Sequence, residues 1–165
     1  MAKRRGWSVV AALASAVAAL VASAPTAAKA DNHVALAVIV ARSSKLTNIA
    51  LSELRQAFRS ERPSERERLI ALNHPPRTVD RVGFDRVVLG MDPEAVGRFW
   101  IGRKVQGAAS PPRSVSTLAT LRRVVEKLPG AIGYIRPSQL SSEVRAIRVD
   151  GKMPEDRGYP VRYQP

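Results

Sequence analysis

Within seven residues, Leu128-Pro129-Gly130-Ala131-Ile132-Gly133-Tyr134 closes one element and opens another, and that return limits the folds open to the chain. Upstream of it Leu118, Leu121, Val124, Val125 and Leu128 recur at three- and four-residue steps, with Arg122, Arg123, Glu126 and Lys127 on the other face. This spacing predicts a helix between residues 114 and 128 that packs one apolar stripe on a partner. Pro129 cannot continue the helix without losing an amide donor, and Gly130 can take the left-handed conformation that satisfies its last carbonyls. Ala131 to Ile135 then reads as a short buried strand, broken by Arg136-Pro137.

The other elements follow from similar signals. His33 to Ala41, HVALAVIVA, is an apolar run rich in β-branched residues and predicts a central strand buried on both faces. Residues 49 to 59 place Leu51, Leu54, Ala57 and Phe58 on one side of a helix, with Glu53 in its first turn and Asn48 or Ser52 as its cap. Residues 60 to 68 form a charged connection, 69 to 72 a second strand, and Asn73-His74-Pro75-Pro76 a forced turn. A helix from Thr78 or Asp80 to Leu89 stops at Gly90, and Asp92-Pro93-Glu94 caps and opens the next, with Val96, Phe99, Trp100 and Val105 as its expected buried side. Val144 to Val149 is a last strand, and residues 151–165 read as a tail rich in Gly, Pro and charge. Strands alternating with helices imply an α/β fold with a mostly parallel sheet.

At the amino terminus Lys3, Arg4 and Arg5 precede an uncharged run from Trp7 to Ala22 and then Ala28-Lys29-Ala30. This is the pattern of a secretory signal over residues 1–30, cleaved near Ala30, and the run is too short and Ala-rich for a membrane span. A periplasmic or secreted domain over residues 31–150 is the expectation. Cleavage would remove four basic residues and no acid, lowering the net charge from +13 to +9. The basic residues are scattered among acids and the chain has only eight aromatics, which argues against a nucleic-acid partner. With no cysteine there is no disulfide or thiolate chemistry, and His33 and His74 are too few for a metal site. No nucleophile, base and acid share a context, and Glu53 and Glu94 suit helix first turns, so neither an enzyme nor a cofactor is expected.

Three blocks in order, Leu36-Ala37-Val38-Ile39-Val40, Leu51 to Phe58 and Leu128 to Tyr134, resemble the phosphate-binding subunits of bacterial ABC transporters. The resemblance spans about residues 34 to 149. It implies a three-layer α/β/α lobe of the periplasmic binding protein-like type II fold, a small oxyanion such as phosphate as ligand, and a membrane transporter or other envelope protein as partner. The 135 residues after Ala30 have room for a single lobe, so a ligand would stay half solvated unless two copies weakly associate. In the family an arginine and a Ser-Gly-Thr turn hold the anion; here those positions fall on Asn73 or His74 and on Thr78-Val79-Asp80, where Asp80 would repel an oxyanion. Arg77, Thr78 and Arg81 are the candidate anion contacts around that turn. Ser43 and Ser44 join them as hydroxyls expected at the carboxyl end of the first strand. The alternative is an interaction module that keeps the fold and has lost the anion site.

Overall fold

A computed structural model describes residues 32–61, 69–108 and 110–165. The leader expected at residues 1–30 and most of the charged connection lie outside these. The first elements are β1 (Val34–Ala35), β2 (Ala37–Ala41), β3 (Asn48–Ile49), α1 (Leu51–Phe58) and β4 (Ile70–Asn73). Next come α2 (Val79–Phe84), continued by a π-helical turn over Asp85–Leu89, then α3 (Pro93–Val105), β5 (Arg113–Ser114) and α4 (Leu118–Lys127). The chain finishes with β6 (Ala131–Ile135), β7 (Val144–Ala146), β8 (Arg148–Val149) and β9 (Arg162–Tyr163).

Five strands form the central sheet in the order β5-β4-β6-β2-β7. β4 is parallel to both β5 and β6, whereas β2 is antiparallel to β6 and to β7, so four strands run one way and β2 runs against them. The mostly parallel sheet expected from the sequence is present, with its first long strand reversed. Alternate side chains of β2 divide the core. Leu36, Val38 and Val40 join Ile132 and Tyr134 against Leu54, Phe58 and Phe84 of α1 and α2. Ala37, Ile39 and Ile135 face Leu121 and Val125 of α4 on the other side. Helices therefore cover both faces, giving the three layers that a doubly buried sheet needs.

The local signals account for most element ends. Asp92 Oδ1 accepts from the Ala95 amide at 2.7 Å to cap α3, and Thr117 Oγ1 accepts from the Thr120 amide at 3.1 Å to cap α4. Gly90 adopts φ +70° at the end of the π-helical turn. At α1 the cap differs from expectation: Ala50 precedes the helix, and Glu53 Oε2 reaches back to accept from its amide at 3.0 Å. Gly133 lets α4 lie close to the sheet, since a Cβ there would sit 3.2 Å from Leu121 Cδ2.

Two expectations are corrected. α3 buries none of its side chains: Val96, Phe99 and Trp100 are half-buried and Val105 is 83% exposed. The four residues expected to be buried do not converge on one face, because Val96 and Val105 lie nine residues apart, about half a turn out of phase. Residues 151–165 are not a tail, because Tyr159, Val161 and Tyr163 are buried in the core beside α1 and α2. β9 pairs antiparallel with β1, Val34 opposite Tyr163, and Tyr159 Oη donates to the Leu36 carbonyl at 2.9 Å. A pairing between residues 129 apart leaves no local pattern to read.

The Tyr163 ring lies against Gly83, where a Cβ would run into it. Gly83→Ala is expected to cost about 1–3 kcal/mol in urea denaturation, and most of that cost should vanish in a Tyr163→Ala background. An equal cost in both backgrounds would contradict the contact.

Candidate anion site

At the carboxyl ends of β4 and β5 the chain makes a tight turn under strain. The Thr78 amide donates to the Pro75 carbonyl at 3.4 Å, with Pro76 and Arg77 between them. Pro76 fixes the first central position and Arg77 takes φ +67° at the second, where type II turns favour glycine. A bulky residue held there costs of order 1–2 kcal/mol. Arg77 is exposed and lines a cavity of about 450 Å³ together with Arg81, Asp85, Trp100, Glu94 and Ser114.

Arg81 and Asp85 sit one helical turn apart, both more than nine-tenths buried. Arg81 Nε donates to Asp85 Oδ2 at 2.5 Å, and Nη1 reaches the His74 carbonyl at 3.5 Å. Asp85 Oδ1 is buried with no hydrogen-bond partner. Burial pushes the Asp85 carboxyl above its usual range, against the pull of Arg81. Asp85 opens the π-helical turn, and its carbonyl accepts from the Met91 amide at 3.2 Å. Such widened turns recur at functional sites. Arg55 of α1 and Arg59 just after it close its far end by donating to the Val88 and Leu89 carbonyls at 2.6 and 3.0 Å.

Asp80, which a linear reading of the turn sets against an anion, does not line the cavity. Both carboxylate oxygens accept from Arg136 at 2.8 to 3.1 Å, and Tyr163 Oη donates to Oδ1 at 2.6 Å. Burial alone would raise the Asp80 carboxyl, but the Arg136 and Tyr163 hydrogen bonds together outweigh it and hold the group below its usual range. Burial first, and then the bond to Asp80, push the Tyr163 phenol up to about 12. The negative charge is thus neutralised beside the turn and does not face its arginines.

The structure brings Arg77 and Arg81 together and separates the other candidates. Thr78 is absent from the cavity lining and its Oγ1 donates to the Pro75 carbonyl at 3.0 Å. Ser43 and Ser44 follow β2, and Ala41 pairs with the amino-terminal end of β7, so they lie at the opposite end of the sheet. The reversal of β2 is the reason: its carboxyl end is where the parallel strands begin. Ser44 Oγ accepts from the Leu46 amide at 3.2 Å and its carbonyl accepts from Arg145, which are roles within that loop.

Sequence reasoning missed Ser114 and Asp85, and it gave Trp100 to the buried side of its helix. Ser114 pairs with Asn73 across β4 and β5, but a two-residue strand after Pro111-Pro112 looks like loop. Asp85 was legible only as a helical acid four residues after an arginine. Among the described residues no three His, Asp or Glu side chains group to hold a metal ion.

Asp80 contributes stability that is present above its ordinary value of 3.8 and lost as pH falls through its lower folded value. Asp80→Asn should therefore destabilise the chain by about 1–2 kcal/mol near neutral pH. In urea unfolding at acid pH, below the folded value, the gap to the parent should close. A gap independent of pH would show that the carboxylate charge has no part.

No family model matches the chain, and no curated protein does. Solved structures do. The ABC-type phosphate transport receptor of Vibrio cholerae superposes with a TM-score of 0.63 at 14% identity, covering 79% of this chain and 54% of the receptor. PstS from Borrelia burgdorferi gives 0.60 at 14% identity, with 80% and 55% covered. A substrate-binding protein from Clostridium perfringens with bound phosphate gives 0.58 at 16%, with 74% and 47% covered. The chain has the periplasmic binding protein-like fold of these receptors and spans about half their length. The family resemblance read from the sequence holds at the level of the fold.

Proposed function

We propose that this chain is an exported solute-binding protein whose domain, after cleavage near Ala30, holds phosphate or a related small oxyanion for an ABC transport system. The observation that carries the reading is Arg77, kept at φ +67° on the rim of a cavity whose buried wall contains Arg81. A strained cation facing a cavity has a function in view, since the strain is otherwise a net loss. Ser114, at the carboxyl end of a parallel strand, adds a hydroxyl where open α/β sheets receive ligands. Guanidinium forks suit the geometry of an oxyanion, and no metal or cofactor is needed for such binding. Asp85 also lines the cavity, and a carboxylate there can accept the proton of a hydrogen phosphate and would repel a fully ionised sulfate. The likeness to transport receptors, at 14–16% identity, supports a binding role over an enzymatic one.

Because the cavity is open on one side, calorimetry should give a Kd on the order of 0.1–1 mM for phosphate. Arg77→Gly separates function from stability. It should weaken phosphate binding at least tenfold while raising the thermal midpoint, through about 0.5–1 kcal/mol of relieved strain. Absence of heat at millimolar phosphate would refute the anion site.

The second reading is an interaction module of the same fold, and α3 is the observation in its favour. It exposes Ile101 by 67% and Val105 by 83%. On that reading phosphate gives no heat, and sedimentation equilibrium finds a dimer of this chain that Val105→Glu dissociates.

A further inference from the structure

We propose that the cavity takes an organic phosphoryl anion, a phosphate monoester or a phosphonate, with its phosphoryl group on Arg77 and Arg81 and its organic substituent against Trp100 and the surrounding prolines. The inference rests on the reading of this cavity as an anion site and names the class of ligand within it.

Size is the first argument. A cavity of about 450 Å³ equals roughly fifteen water volumes. A five-atom oxyanion takes up only about two or three. The space is in the range used for organic ligands, and inorganic phosphate would leave most of it to solvent.

The second argument is the division of the lining. Arg77, Arg81, Asp85 and Ser114 supply polar groups from the turn, α2, the π-helical turn and β5, and Glu94 of α3 adds a second carboxylate. Apart from Glu94, the wall formed by α3 and the loop before β5 is apolar: Pro93, Val96, Trp100, Pro111 and Pro112. A bare oxyanion gains nothing from that wall, whereas a carbon substituent is removed from water by it. Proline and tryptophan faces are also rigid, so little side-chain freedom is lost when a ligand is seated.

One further detail points the same way. Gly97 lines the cavity, and a Cβ built there meets nothing within 4 Å, so open space continues over the α3 backbone.

Isothermal titration of the whole chain with inorganic phosphate, phenylphosphonate and phenol tests the proposal. Phenylphosphonate should bind at least tenfold more tightly than phosphate, about 1.4 kcal/mol, and phenol should show no binding. Gly97→Leu fills the space over α3 and improves helix propensity, so its fold is retained. In that variant, and in Trp100→Ala, the ratio of the two affinities should fall towards one. Phosphate binding as tightly as phenylphosphonate would overturn the organic substituent and leave the anion site standing. Phenol binding as tightly as phenylphosphonate would overturn the phosphoryl anchor, and no binding of either anion would refute both this inference and the anion site.

Discussion

Tyr134 is the side chain on which the rest of the structure depends. Its ring stacks on Phe84 with centroids 3.7 Å apart and planes 4° from parallel, and it also touches Phe58. Its hydroxyl donates to Asn73 Oδ1 at 2.9 Å, and its carbonyl bonds His74 Nε2 at 2.8 Å. One residue of β6 thus fixes the end of β4, the residue that begins the turn, and the helix that leaves it. Burial pushes the phenol far above its usual range, so it remains a neutral donor at any ordinary pH. Two rings and two hydrogen bonds leave the 74–81 segment little freedom, which is how Arg77 can be held in a costly conformation.

The reversed direction of β2 is the second constraint. Both of its faces are covered, and its neighbours β6 and β7 take up its backbone groups on either side. Since it runs against the parallel strands, the loop after it belongs to the far end of the sheet. One end therefore carries the strained turn, the buried Arg81–Asp85 pair and the cavity. The other carries Ser43 and Ser44 in a loop held by Arg145. The Arg136–Asp80–Tyr163 cluster completes the division of charge by removing a carboxylate from the cavity side. Because Tyr163 belongs to β9, the last residues of the chain take part in setting the electrostatics of the turn.

Much of this was legible in the sequence where the signal was local. Pro129-Gly130 after a clean apolar stripe, Asp92-Pro93 as cap and first helical residue, and Gly90 as a left-handed stop each carry their own chemistry in two or three residues. The layered α/β fold follows from them and from the β-branched run at 36–41. What could not be read was non-local or unmarked: the pairing of β1 with β9, the direction of β2, and the place of Ser114 in a strand of two residues. A strand's composition reports its burial and not its direction. The same limit put Ser43 and Ser44 among the candidates, while Arg77 and Arg81, local to one turn and the helix after it, line one cavity.

On the proposed reading an oxyanion is held at the carboxyl ends of β4 and β5 and nowhere else on this sheet. Hydrogen exchange read by mass spectrometry, with and without millimolar phosphate, tests it most directly. Slowed exchange is expected in peptides covering residues 74–86 and 111–115, with no change at 42–46. Protection at 42–46, or none at 74–86, would contradict it.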